Sequence, residues 1–183
     1  MKKTAGILKF CCTVVLVLEI LITVILVLAL GAILLAGNFS DLAAKTGAIT
    51  INGGTMTPAE MDTLKPIVLI ALASGLVALV FTIMGTVKTR TALGECKEER
   101  PFSEKCVNAI KASARLEIVG GIVGIVSSIV LAVMGSSLTV NGTPVGRSST
   151  TLSLTFLFYA LEKYLLFHVA KYGHGLETNE ERL

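Results

Sequence analysis

Apolar residues gather into four long stretches along the chain, at 10–36, 67–87, 116–138 and 152–170, with polar residues collected between them. A hydrocarbon core of about 30 Å needs roughly 20 helical residues to cross, and each stretch reaches or approaches that length. None alternates with the period of two that a strand requires, and only helices and closed barrels satisfy every backbone group in lipid. The pattern therefore predicts an all-α membrane protein, a single domain over 1–183 with four transmembrane helices. The first stretch follows Lys2, Lys3 and Lys9, a layout shared with secretory signals. It is longer than the roughly 7–15 apolar residues of a signal and contains Glu19, so it is expected to be a retained span.

Basic residues set the expected orientation. Lys2, Lys3 and Lys9 precede the first span, and Lys171 and Arg182 follow the last. Lys88, Arg90, Lys97, Arg100, Lys105, Lys111 and Arg115 all fall at 88–115, between the second and third spans. The connections at 37–66 and 139–151 hold only Lys45, Lys65 and Arg147. By the positive-inside rule both termini and 88–115 lie in the cytoplasm, and the other two loops lie outside.

The outer loops carry strand and turn signals. Ile49-Thr-Ile51 leads into Asn52-Gly53, and Leu138-Thr-Val140 leads into Asn141-Gly142. Asn-Gly is a strong hairpin signal, so a small β-rich extracytoplasmic element is expected, with the two loops pairing in one mini-sheet. Each loop then reaches a Thr-Pro pair, Thr57-Pro58 and Thr143-Pro144, as if spans one–two and three–four repeated one hairpin. Thr57-Pro-Ala-Glu60 has the form of a capping box that starts a short helix, with Pro66 expected to break or kink it. In 88–115, Ser103 is a natural N-cap, and Phe102 is placed to staple against Val107. Val107, Ile110 and Ala114 then share one helical face, and Asn108, Lys111 and Arg115 another, an amphipathic foot for anionic headgroups.

Composition agrees with the membrane class: 53% of the 183 residues are hydrophobic and only 16% charged, against about a quarter charged in soluble domains. A net charge of +3 offers no footing for direct nucleic-acid binding. The four cysteines, Cys11, Cys12, Cys96 and Cys106, show no metal spacing and lie in no outer loop, so they read as reduced thiols.

Candidate functional residues lie inside the spans. Gly120, Gly124, Ser128, Ala132 and Ser136 form a small-residue stripe that lets a second backbone approach, within the bundle or between two copies. Glu19, Glu162 and Lys163 are intramembrane charges, each costing at least about 2.5 kcal/mol if left unpaired. Glu19 and Lys163 lie at similar depths, so a Glu19–Lys163 ion pair is expected. A proton or cation path, or side chains reaching out to the interface, are the other uses of such residues. His168 and His174 have no metal-pair spacing, and no nucleophile set or phosphate loop is present. No catalytic residue, metal or cofactor is expected.

Glu99-Arg-Pro-Phe-Ser-Glu104, and Val169-Ala-Lys-Tyr-Gly-His-Gly-Leu-Glu177 with its acidic tail, resemble a bacterial four-span family known as domain of unknown function 2975. His168 stands where that family often has an acidic residue, and the first outer loop is long. The resemblance implies a bacterial plasma-membrane protein without established activity. It also implies a partner, a small helix-turn-helix regulator, because such genes are often neighbours. The expectation is a non-enzymatic accessory, sensory or regulatory module; the alternative is a small transporter or channel subunit using the intramembrane carboxylates.

Overall fold

The computed structural model describes residues 2–35, 50–51, 54–55, 57–136, 139–140, 143–144 and 155–180. These are almost all helical: α1 Lys2–Leu35, α2 Pro58–Lys97, α3 Glu104–Ser136 and α4 Thr155–Glu180. α2 starts at the expected proline, whose missing N–H costs nothing in a first turn, and Met61 donates its N–H to the Thr57 carbonyl at 3.0 Å. The Glu60 side chain of the expected capping box lies outside the described residues. Pro66 does not end the helix, which continues through it to Lys97. A proline in an otherwise apolar helix removes one backbone bond, a loss that spanning helices tolerate.

Among the described residues, three helices are long and apolar enough to cross a membrane: Lys3–Leu35, Met61–Lys97 and Glu104–Ser136. α4 was expected to be a fourth, but Glu162, Lys163 and Lys171 interrupt its apolar run, and residues 152–154 of the expected span lie outside those described.

The side chains are arranged inside out relative to a water-soluble bundle. Buried apolar positions are mostly small, such as Ala5, Ala92, Cys106, Ala109, Ala114, Ala160 and Ala170. Large apolar side chains point outward, including Phe10, Leu28, Val133 and Phe158. Water would penalise so much exposed hydrocarbon, whereas lipid does not, and small residues allow close helix contact without a hydrophobic driving force.

The chain divides into two compact units. One comprises Met1–Ile22, Ala78–Ile122 and Ser153–Leu183; the other comprises Thr23–Val77 and Val123–Leu152. The second unit contains two hairpins. β1 Thr50–Ile51 pairs antiparallel with β2 Gly54–Thr55. β3 Thr139–Val140 pairs in the same register with β4 Thr143–Pro144. Each ladder brackets an Asn-Gly pair in sequence, but among the described residues the expected mini-sheet between loops is not formed, since β1 and β3 belong to separate sheets. Pairing segments that lie close in sequence costs far less chain entropy than joining distant ones. Ladders of two residues per strand do not amount to a β-rich element.

Candidate functional site

The functional features cluster in the first unit, around the turn from α2 to α3. α2 ends in a Schellman motif: Arg100 N–H donates to the Glu95 carbonyl at 3.0 Å, and Glu99 N–H to Cys96 at 3.2 Å. Glu99 takes the left-handed conformation, φ 62°, where glycine is usual. Pro101 follows, and α3 opens on Ser103, whose Oγ accepts from Cys106 N–H at 3.2 Å. The Ser103 cap is thus where the sequence placed it.

A buried carboxylate ties the two helix ends together. Glu95 is 5% exposed; Lys105 Nζ lies 2.8 Å from its Oε1, and Ser103 Oγ donates to its Oε2 at 3.1 Å. Arg100 is 4.0 Å away and also pairs with Glu98. Glu95 stands near the C-terminal end of α2, beyond the apolar stretch 67–87. The hydrogen bond from Lys105, helped by Ser103, holds its carboxyl below the usual range despite burial.

Deeper in the hairpin, Thr89 Oγ1 and Ser113 Oγ meet at 3.0 Å, and Ser113 donates to the Gly85 carbonyl at 3.3 Å. Cys106 Sγ contacts the Ala92 carbonyl at 3.7 Å and packs near Cys96. Burial, together with the Cys96 thiol, pushes the Cys106 thiol up to about 12, so it stays protonated and weakly reactive at neutral pH.

The turn is clamped to α4. Phe102, Ile110 and Tyr164 pack against buried Val107, Phe167 and Ala170, so the staple partner Val107 lies in the cluster that Phe102 covers. Lys111 Nζ sits 5.4 Å from the centre of the Phe167 ring, within cation–π range. A Cβ on Gly173 would fall 2.5 Å from the Phe102 ring. The Pro-Phe-Ser turn and the Tyr-Gly-His-Gly segment therefore touch.

The charges expected inside the spans pair differently from the expectation. Lys163 Nζ contacts Glu117 Oε2 at 2.7 Å, in place of the expected Glu19. Glu19, 8% exposed, accepts from Thr86 Oγ1 at 2.9 Å. Glu162 is exposed and lines a cavity of about 600 Å³ between α2, α3 and α4, together with Glu117 and Lys163. Cys96, Phe102, Cys106 and Ile110 line the part nearer the turn.

The stripe on α3 is not uniformly tight. A Cβ on Gly120 would lie 3.2 Å from Phe81, but one on Gly124 meets nothing within 4 Å. Ser128 returns its hydroxyl to the Gly124 carbonyl at 2.8 Å, and Ala132 is half-buried. The closest approach is at Gly121, where a Cβ would lie 2.1 Å from the Phe156 ring. No local motif in the sequence marks Glu95, Gly121 or Gly173 as a site residue. Glu117 had a visible signal, being a third carboxylate within an apolar stretch.

No family model matches this chain, and no curated protein or solved structure matches it significantly.

Proposed function

We propose that this chain is an integral plasma-membrane protein that crosses four times with both termini in the cytoplasm. In this reading it acts as a non-enzymatic accessory, sensory or regulatory module of a bacterial membrane, in line with its resemblance to domain of unknown function 2975. The observation that carries the reading is the contact of Phe102 with Gly173, which fastens the α2–α3 turn to α4. Such a clamp presents Lys97, Arg100 and Lys105 on an ordered surface, suited to an acidic protein patch or to anionic headgroups. α4 supports the fourth span: Phe158, Leu161, Leu165 and Val169 are exposed at 62–73% along one stripe, a lipid-facing pattern. The partner is a membrane protein or a small helix-turn-helix regulator bound through that surface, without direct nucleic-acid contact.

Two measurements test this. A cysteine introduced at Lys97 should react with an impermeant reagent only after lysis, and one at Thr55 should react in intact cells; the reverse pattern overturns the orientation. Co-purification from native membranes should recover a protein partner that is lost with Phe102→Ala. Recovery unchanged in that variant overturns the role of the clamp.

The cavity reaching Glu162 favours a second reading, a small transporter that uses intramembrane carboxylates. Glu162-dependent substrate uptake into proteoliposomes would establish it.

A further inference from the structure

The cavity between α2, α3 and α4 combines a long apolar body with a charged far end. Its lining runs along α3 from Cys106 to Glu117, about 16 Å at 1.5 Å per residue. Near the turn the walls are Ala92, Phe102 and Ile110; at the far end stand Tyr159, Glu162, Glu117 and Lys163. At about 600 Å³ it lies within the size range of small-molecule sites.

The charges at that end are not balanced. Lys163 is engaged by Glu117 at 2.7 Å, which neutralises both. The Glu162 carboxylate has no ion-pair partner among the described residues. One net negative charge therefore faces the cavity, and an organic anion would be repelled. A small metal ion would find few oxygen ligands along apolar walls. Tyr159 precedes Glu162 by three residues, so its ring and the carboxylate share one side of α4. An aromatic face beside a carboxylate suits an organic cation, particularly one whose charge is dispersed or alkylated. Tyr159, Glu162, Leu166 and Val169 of the lining are all exposed, so the cavity opens along α4.

We propose that this cavity is a binding site for an organic monocation with an apolar body, its charge held by Glu162 and Tyr159 and its body directed toward Phe102. The site does not depend on whether the ligand is then carried across the membrane or only sensed.

Equilibrium binding to the purified full chain in an uncharged maltoside detergent tests the proposal. Tetraphenylphosphonium should bind saturably, and tetraphenylborate, of the same shape and opposite charge, should not. Glu162→Gln, at an exposed position that leaves folding intact, should weaken phosphonium binding at least tenfold. Leu166→Trp, which fills the cavity without altering charge, should also weaken it. Equal affinity for the two probes, no saturable binding, or unchanged affinity in Glu162→Gln would each overturn the site. Mass spectrometry of co-purified lipid separates the two sources of such a cation. An aminolipid retained by the native chain and lost in Glu162→Gln makes the occupant a lipid ammonium. Phosphonium binding without a retained aminolipid makes it a free cation.

Discussion

The ring of Phe102 occupies the space that a side chain at position 173 would need, with Cδ1 2.5 Å from a Cβ built on Gly173. Gly173→Ala must therefore displace the ring from the Val107–Phe167–Ala170 cluster. Overpacking of this kind costs about 1–3 kcal/mol. Gly175, two residues on, has open space where its Cβ would be. Gly175→Ala should be neutral or stabilising, since alanine is favoured over glycine in a helix by up to about 1 kcal/mol. Thermal unfolding of both variants in detergent should move the midpoint down for Gly173→Ala and not for Gly175→Ala.

The readable features were local ones. The Ser103 cap and the Pro58 helix start follow from side chains acting on the backbone within a turn, so spacing alone reveals them. Partner choice between helices was not readable in the same way. Equal depth suggested Glu19 for Lys163, but depth leaves the angular position around each helix open, and α3 presents Glu117 to the lysine. The small-residue stripe shows the same gap: Gly120 and Gly121 differ by about 100° around the axis, and the tighter contact fell on the residue outside the stripe. Glu95 was hidden because its partners lie across a turn whose shape depends on the left-handed Glu99.

Glu99 supplies the second prediction. A side chain at φ 62° costs roughly 1–2 kcal/mol, and glycine removes that cost at the price of a more flexible unfolded chain. Glu99→Gly should therefore unfold at a higher midpoint than Glu99→Ala, by up to about 1 kcal/mol in stability, because both lose the same side-chain interactions and only glycine relieves the backbone. Equal midpoints for the two variants would mean that the left-handed residue stores no strain.

Glu95 predicts a pH dependence. Its carboxyl is held below the ordinary 4.5 in the folded chain, first by Lys105 and also by Ser103. A depressed folded pKa means that the unfolded chain takes up the proton first as the solution is acidified. The stabilisation is therefore present at neutral pH, begins to fade as pH falls into the ordinary glutamate range, and is gone below the folded value. Glu95→Gln should lower the midpoint at pH 7 and flatten its decline between neutral and acid. Parallel declines in the two proteins would show that the Lys105 contact contributes nothing to folding.

The last prediction concerns Glu117 and Lys163, whose charged atoms stand 2.7 Å apart with side chains about one-third exposed or less. Contacting residues show coupling of about 0.5–3 kcal/mol in double-mutant cycles, and a partly exposed pair belongs in that range rather than with fully buried pairs. Glu117→Gln alone leaves an ammonium beside the cavity, and Lys163→Met alone leaves two carboxylates there, Glu117 and Glu162. The second change should be the worse, because it adds repulsion between like charges to the loss of the pair. Making both changes should cost clearly less than the two single losses added together. A parallel cycle on Glu19 and Lys163 should show the smaller coupling, since Glu19 is bonded by Thr86 and the lysine contacts Glu117 on α3. Coupling in the Glu19 cycle with additivity in the Glu117 cycle would reverse the assignment and place the lysine between α1 and α4.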